Sequence, residues 1–267
     1  MILKFISLCS GSSGNCFYLG TSSYGILIDA GIGSRSIRKV LKERGIAIEQ
    51  ILAVFITHDH ADHIKGVGGL SKRFSIPVYA TELTHRGIDR NYCMTEKIEQ
   101  GNRRYCRKGE TIEVRDFRIT PFEVPHDAND NVGYSIELAD KRFCIITDIG
   151  HVTPLAIEHI KKANYLVLEA NYDEEMLRTG PYSPMLKERI VGSRGHLSNR
   201  EAGECLAEHF PDGLRHVWLC HLSRENNHPE LAYKTVEWAL KQVGRNAGTD
   251  YKLETLKRTT PSEIYEL

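Results

Sequence analysis

A short segment of the chain, residues 57–63, is dense in metal-binding side chains and reads Thr-His-Asp-His-Ala-Asp-His. His58 and His60 alternate along an extended stretch, so both imidazoles can point toward one metal ion. Asp62 and His63 are adjacent and begin the next predicted helix, where they could serve a second ion. Imidazole and carboxylate ligands together suit zinc, manganese or iron. The segment predicts a site for two divalent ions, with a surface His/Asp turn as the simpler alternative.

Further ligand-type residues follow apolar runs elsewhere in the chain. His126, Asp148 and His221 each come directly after a run that is typical of a buried strand. The motif at residues 57–63 follows such a run as well. A lone histidine at a strand end is more often structural, but four strand ends that all carry ligand-type residues favour a shared metal site.

The hydrophobic pattern predicts the elements that must position these residues. Runs rich in strand-forming residues predict strands at residues 3–8, 16–20, 25–29, 51–57, 77–80, 117–124, 133–138, 142–147, 165–170 and 217–220. Helical spacing of apolar residues predicts helices at residues 34–44, 62–74, 154–162, 199–210 and 230–243. Strand-rich blocks with interspersed helices indicate an α/β (α+β) chain in which two sheets pack together with helices outside. No repeat or Pro/Gly-rich linker divides the sequence, which predicts a single domain over residues 1–267.

Composition limits the class of protein. The 267 residues include 35 basic and 35 acidic side chains, and the zero net charge argues against a general polycation that coats nucleic acid. The seven cysteines form no C-x-x-C pair, which argues against a disulfide framework or a zinc knuckle and favours reduced thiols in a cytoplasm. Lys4 and a Gly/Ser cluster interrupt the first apolar run, and no long apolar span follows. The sequence therefore predicts neither a signal peptide nor a membrane helix.

The ligand pattern resembles the metallo-β-lactamase superfamily over essentially the whole chain. The resemblance implies a four-layer αββα sandwich with a dinuclear metal site at one sheet edge. It implies that the first metal takes His58, His60, His126 and Asp148, and the second Asp62, His63, Asp148 and His221. Asp148 and a hydroxide would bridge the ions, which lower the pKa of water and stabilise charge in an in-line displacement. Asp59 matches a variable position and would orient a ligand.

A second set of residues bears on the substrate. Glu169 ends an apolar run, and His196 lies in a Gly-His-Leu-Ser segment ahead of a predicted helix. With the His-Leu-Ser segment that begins at His221, this order is similar to that of the RNA- and DNA-processing branch of the superfamily, which includes tRNase Z. By that resemblance Glu169 orients His196, and His196 donates a proton to the poor alkoxide leaving group. Asp62 is predicted to be catalytic with them. The alternatives are a surface glutamate and a histidine that only begins a helix.

The opening segment, residues 10–15, reads Ser-Gly-Ser-Ser-Gly-Asn and offers hydroxyl groups and backbone amides that could hold a phosphate. A tight turn between strands is the alternative. Together with the motifs above, this segment most resembles the small single-domain bacterial group called YycJ or WalJ, which is regarded as phosphodiesterase or DNA exonuclease. The predicted substrate-binding residues are Ser12, Ser13, Asn15, Arg194 and Ser223.

Two basic stretches could help to hold nucleic acid. Residues 86–108 contain seven basic and three acidic side chains, together with Tyr92 and Tyr105, which could stack on bases. Residues 178–200 add basic side chains on both sides of His196. Both stretches could equally be solvated loops.

The sequence therefore predicts a dinuclear-metal-dependent phosphodiesterase, a nuclease resembling a DNA 5′–3′ exonuclease with the metal-bridging hydroxide as nucleophile. Its cofactors would be two divalent ions, which could be zinc, manganese or iron. Its substrate would be nucleic acid, with DNA preferred to RNA in this interpretation. The predicted compartment is the cytoplasm, and no membrane partner is expected. A small-molecule hydrolase of a thioester, lactone or β-lactam is the alternative, and it predicts that Glu169 and His196 lie away from the metals. A non-catalytic metal-binding protein is the third possibility. A redox di-iron site is disfavoured, because such members usually carry Glu at the position of His60.

Overall fold

The structure, a computed structural model, describes residues 2–267. Its strands are β1 (Lys4–Gly11), β2 (Gly14–Gly20), β3 (Gly25–Ile28), β4 (Ile51–Phe55), β5 (Val78–Ala80), β6 (Arg103–Tyr105), β7 (Ile112–Val114), β8 (Phe117–Glu123), β9 (Val132–Leu138), β10 (Lys141–Ile146), β11 (Tyr165–Glu169), β12 (His216–Cys220), β13 (Lys252–Thr255) and β14 (Tyr265–Glu266). Its α-helices are α1 (Ser34–Glu43), α2 (Ala61–Ile64), α3 (Val67–Phe74), α4 (Glu82–Arg90), α5 (Pro154–Lys161), α6 (Glu174–Thr179), α7 (Pro184–Val191), α8 (Asn199–His209) and α9 (Pro229–Gln242). Short 3₁₀ helices lie at Ile48–Gln50 and Gln100–Asn102.

All the predicted strands are present, with ends shifted by at most three residues. The single helix predicted over residues 62–74 is wrong, because the chain breaks there into α2 and α3. The backbone N–H of Gly66 donates to the carbonyl of Ala30 (2.7 Å) instead of continuing the helical pattern. The prediction also missed α4, α6 and α7 and four short strands, which are β6, β7, β13 and β14.

The chain forms two compact units, each described here by itself. Unit 1 comprises residues 2–116, 128–131 and 257–267. Its sheet has the strand order β14-β1-β2-β3-β4-β5-β6. Pairing is antiparallel from β14 to β3 and parallel from β3 to β6. Apolar side chains of the sheet and of α1 and α3, including Ile37 and Leu70, form its hydrophobic core.

Unit 2 comprises residues 117–127 and 132–256. Its sheet contains β13-β12-β11-β10-β9-β8 in this order. Pairing is antiparallel from β8 to β10 and parallel from β10 to β13. Helices α5, α8 and α9 pack their apolar faces into a separate hydrophobic core, with Ile160, Leu206 and Val236 fully buried. The single-domain organisation over residues 1–267 stays a prediction.

In each unit, neighbouring parallel strands carry their carboxyl ends to the same edge of the sheet. In unit 1, β3 and β4 lead into Asp29 and His58, and in unit 2, β10, β11 and β12 lead into Asp148, Glu169 and His221. Asp29, Asp148 and His221 have φ angles of 60°, 55° and 54°. Residues other than glycine rarely adopt this left-handed conformation, and where they do it is often at a functional site. The topology therefore places the predicted chemistry at these strand ends.

Two further observations bear on the sequence-based expectations. Among residues 2–267, no helix combines the length and the apolar character needed to cross a membrane. All seven cysteines are free thiols, and burial raises the pKa of Cys9 to about 12.

Candidate active site

The four ligand candidates of unit 1 lie together where β4 ends and α2 begins. The ring centroid of His58 is 4.6 Å from that of His60 and 4.0 Å from that of His63. Nε2 of His63 is 3.5 Å from Oδ2 of Asp62. His58 and His63 are fully buried, and buried polar groups packed this closely are expected where they coordinate a metal. The structure thus brings the predicted ligands of residues 57–63 into one cluster.

Asp29, which the sequence analysis did not single out, orients this cluster from the end of β3. Its fully buried carboxylate accepts hydrogen bonds from the backbone N–H (2.8 Å) and the hydroxyl (2.9 Å) of Thr57 and from Nδ1 of His63 (2.7 Å). Because the Thr57 hydroxyl donates its proton to Asp29, it accepts from Nδ1 of His58 (3.0 Å). Both imidazoles therefore carry the proton on Nδ1 and present Nε2 to a metal. Burial raises the pKa of Asp29, and the contacts with His63 and Thr57 oppose that rise.

Asn15, predicted to bind substrate, contacts two of the ligand candidates. Its Oδ1 accepts a backbone N–H of its own hairpin (2.9 Å), which fixes the orientation of the amide. Its Nδ2 then lies 3.0 Å from Nε2 of His63 and donates to Oδ2 of Asp62 (3.3 Å). Because Asn15 presents an N–H group to Nε2 of His63, this nitrogen carries the lone pair, which agrees with a proton on Nδ1. Ser12 and Ser13, by contrast, are exposed in the turn between β1 and β2.

Gly31 shows how closely the chain is packed around this cluster. A Cβ at this position would lie 1.7 Å from the backbone oxygen of Asp62 and 2.5 Å from the backbone nitrogen of Asn15. Backbone atoms cannot yield by that much, so only glycine fits here. The loop after β3 therefore helps to set the positions of both Asp62 and Asn15.

Unit 2 contributes a second cluster of metal-binding side chains. Ligand atoms within 4.8 Å of one another come from Asp148, Glu169, His196 and His221. Oδ1 of Asp148 is 3.5 Å from Nδ1 of His221 and 3.8 Å from Nε2 of His126. Nδ1 of His126 donates to the backbone carbonyl of Gly195 (2.8 Å), so that Nε2 keeps its lone pair for a metal. The ligands predicted at the ends of β10 and β12 and after β8 thus lie together.

Glu169 contacts His196, the residue that the family resemblance predicts to be the acid. Its carboxylate is fully buried, and Oε2 accepts two backbone N–H groups at 2.8 and 3.2 Å. Oε1 lies 2.8 Å from Nδ1 of His196 and 3.0 Å from Nδ1 of His221. Burial alone would raise the pKa of Glu169, but the interactions with both histidines lower it. Burial lowers the pKa of His196, yet the charges of Glu169 and Asp148 outweigh burial and raise it.

The remaining predicted substrate contacts make bonds within unit 2. Arg194 is exposed, and its Nε donates to the backbone carbonyl of His126 (2.9 Å). Ser223 is buried, and its hydroxyl accepts the backbone N–H of Asn226 (3.2 Å). Arg194 therefore lies beside a ligand candidate, whereas Ser223 stabilises the turn after His221.

Two neighbours of the ligands have supporting contacts. Asp59 was predicted to orient a ligand, and its carboxylate accepts the backbone N–H (3.2 Å) and the side-chain amide (2.5 Å) of Asn129. Asn171, which the sequence analysis missed, donates from Nδ2 to the backbone carbonyl of His221 (2.7 Å). A polar residue two positions after the end of β11 was the only signal that could have identified Asn171.

Comparison with known proteins defines the class. The family model of the β-lactamase superfamily domain matches residues 24–221, and the chain therefore belongs to the metallo-β-lactamase superfamily. It is 36% identical over 264 residues to the exodeoxyribonuclease WalJ of Streptococcus pneumoniae, which covers 99% of this chain and 98% of that protein. It is 33% identical over 264 residues to the exodeoxyribonuclease YycJ of Bacillus anthracis, with 99% of each chain covered. The crystal structure of the metallo-β-lactamase fold protein YhfI from Bacillus subtilis matches with a TM-score of 0.73 at 17% identity, covering all of both chains.

These findings confirm the predicted superfamily, fold class and resemblance to the YycJ/WalJ group. They also confirm a metal-dependent hydrolase. The donor set fits divalent ions, because it combines imidazoles and carboxylates without a thiolate.

Proposed function

We propose that this chain is a nuclease that hydrolyses the phosphodiester bonds of DNA with the help of two divalent metal ions. The observation that carries the proposal is the Glu169–His196 pair, which lies against Asp148 and His221 in unit 2. Relatives named exodeoxyribonucleases that are 36% and 33% identical over nearly their full length support DNA as the substrate and cleavage from an end. We extend the proposal to 5′–3′ polarity and to a cytoplasmic location.

The proposed ligands are those that the family resemblance implies. They are His58, His60, His126 and Asp148 for one ion, and Asp62, His63, Asp148 and His221 for the other. In His58, His63 and His126 a protein acceptor holds Nδ1, so Nε2 is the nitrogen that could bind a metal. In His63 the metal would replace the amide of Asn15, which lies 3.0 Å from Nε2. When bound, zinc, manganese or iron ions lower the pKa of water and offset the negative charge of the phosphodiester. Asp62 would act both as a ligand and as a catalytic residue.

His196 has the environment of a general acid. Hydrolysis forms a P–O bond to the oxygen of water and breaks the P–O bond to the leaving sugar oxygen, which must gain a proton. Glu169 occupies Nδ1 of His196 (2.8 Å), so Nε2 is the ring nitrogen that can deliver this proton. The charges of Glu169 and Asp148 raise the pKa of His196, which enlarges the protonated fraction relative to an ordinary histidine.

The alternative of a small-molecule hydrolase required that Glu169 and His196 lie away from the ligands. Nδ1 of His196 is instead 3.7 Å from Oδ1 of Asp148, and Oε1 of Glu169 is 3.0 Å from Nδ1 of His221. A proton donor at this place suits an alkoxide leaving group, which is poorer than the leaving group of a thioester or a β-lactam. The contacts in unit 2 therefore favour a phosphodiester as the substrate.

The experiment compares cleavage of 5′-labelled and 3′-labelled linear DNA, circular single-stranded DNA and RNA, each with manganese or zinc. We expect nucleotides to be released from the 5′ end of linear DNA, no cutting of circles, and no activity in Asp148→Asn. His196→Ala should slow DNA cleavage by about 10²–10⁴-fold. The same variant should lose less on bis-p-nitrophenyl phosphate, whose leaving group needs no acid. His209→Ala, at the end of α8, is the control. The proposal fails if no phosphodiester is cut with either metal, or if Asp148→Asn keeps wild-type activity.

A further inference from the structure

Tyr92 is the most exposed of the large hydrophobic side chains that the structure describes, with 93% of its surface accessible. It follows α4 and lies at the tip of a tight turn in unit 1. The backbone N–H of Met94 closes the turn by donating to the carbonyl of Asn91 (3.2 Å), and Met94 itself is buried in the core of the unit. The ring of Tyr92 therefore points outward from a backbone that is fixed on both sides.

This turn is bonded to the metal-ligand segment. Nδ2 of Asn91 donates to the backbone carbonyl of Asp59 (2.8 Å), the residue between the ligand candidates His58 and His60. Close packing accompanies this bond, since a Cβ at Gly87 in α4 would lie 2.0 Å from Oδ2 of Asp59. Asn91, the residue before Tyr92, thus connects the turn to the proposed active site by a direct hydrogen bond.

Cationic side chains surround the same turn. Burial raises the pKa of Cys93, the residue after Tyr92, and the charges of Lys65, Asp62 and Lys97 also act on it, which places all three near the turn. Lys65 and Arg90 are exposed and form no ion pair with a carboxylate within residues 2–267. Other arginines of the basic stretch are neutralised, as in the pairs Arg86–Glu82 and Arg103–Asp89. Arg104 donates to the backbone carbonyls of Gly101 and Arg103 and also forms no ion pair with a carboxylate within residues 2–267. Lys65 and Arg90 are therefore not the only cations available to an anion, but they are the ones near Tyr92.

We propose that Tyr92 is a stacking platform for a nucleobase of the substrate strand, with Lys65 and Arg90 next to the flanking phosphates. The inference rests on the proposed nuclease function and adds a base-binding subsite to it. An aromatic ring accepts any base on its face, and unpaired cations attract the backbone of a single strand. Tyr105 does not qualify, because its ring already packs edge-on against His85 (centroids 5.1 Å apart).

The test measures KM and kcat of the metal-loaded protein on a single-stranded oligonucleotide and on the same strand with four abasic residues at each end. Tyr92→Ala should raise KM for the normal strand by about 5- to 150-fold, the range that one base stack implies. The kcat of this variant should change little, and its KM for the abasic strand should equal that of the wild type. Tyr92→Trp should restore binding, and Tyr105→Ala should behave like wild type.

Three results would overturn the stacking role. The first is an unchanged KM in Tyr92→Ala, and the second is an equal rise in its KM on the normal and abasic strands. The third is a fall in kcat that Tyr92→Trp does not restore. If the wild type cuts no phosphodiester, the nuclease proposal fails separately. Fluorescence anisotropy with labelled normal and abasic strands then still decides whether Tyr92 binds a base.

Discussion

The buried carboxylate of Asp29 provides a test of how the ligand candidates of unit 1 are held. In Asp29→Ala, the buried backbone N–H of Thr57 loses its 2.8 Å acceptor, and such an unsatisfied group costs about 1–3 kcal/mol of the free energy of unfolding. The same change releases Nδ1 of His63, which is held at 2.7 Å. Loss of a partner of this kind weakens metal affinity by about 10–100-fold. We therefore expect two separate losses, one in folding and one in metal binding.

The two losses can be measured independently. Urea unfolding of the metal-free protein gives the folding loss, and zinc titration against a chromophoric chelator gives the affinity. Asp29→Asn keeps an oxygen for Thr57 but removes the negative charge facing His63. This variant should therefore lose more zinc affinity than free energy of unfolding. Glu43→Ala removes a half-exposed carboxylate of α1 and should stay within about 0.5 kcal/mol of wild type. The reasoning is refuted if Asp29→Ala is destabilised but binds zinc with wild-type affinity.

Two other perturbations follow from the packing. Gly31→Ala would bring a Cβ to 1.7 Å from the backbone oxygen of Asp62, and urea unfolding should show a loss of about 1–3 kcal/mol together with weaker zinc binding; normal stability would contradict the tight approach. His159 stacks on Phe122 with ring centroids 4.0 Å apart, and burial lowers its pKa below the ordinary 6.5. As pH falls, the unfolded state therefore takes up the proton at a higher pH than the folded state, and the free energy of unfolding should decline below pH 6.5. The decline should be less steep in His159→Phe; an equal change of the free energy with pH in both proteins would exclude this effect.

The sequence predicts well what depends on local patterns. Apolar runs mark the core strands, and the His-rich segment at residues 57–63 marks one ligand cluster. The helices that were missed, α4, α6 and α7, are short. Each begins at a side-chain cap, Thr81, Asp173 or Ser183, that the pattern of apolar residues does not show. The partnership of Asp29 with His63 spans 34 residues, and it forms because β3 and β4 are neighbouring parallel strands. Such pairing is non-local and cannot be deduced from spacing.

Asp29 and Asp148 occupy corresponding places, yet they differ in what their oxygens do. Each lies in the left-handed conformation after the strand at which its sheet changes from antiparallel to parallel pairing, β3 in unit 1 and β10 in unit 2. Both oxygens of Asp29 accept bonds from Thr57, and Oδ2 also from His63, so the carboxylate acts as an orienting group. Oδ2 of Asp148 accepts the hydroxyl of Thr147 (2.7 Å), whereas Oδ1 faces three imidazoles at 3.5–3.8 Å. A gap of that size is too long for direct hydrogen bonds. At Nε2 of His126 (3.8 Å) it leaves room for a cation that this imidazole and the Asp148 carboxylate could both bind. An aspartate at the end of an apolar strand is therefore a signal for both roles, and its contacts decide between them.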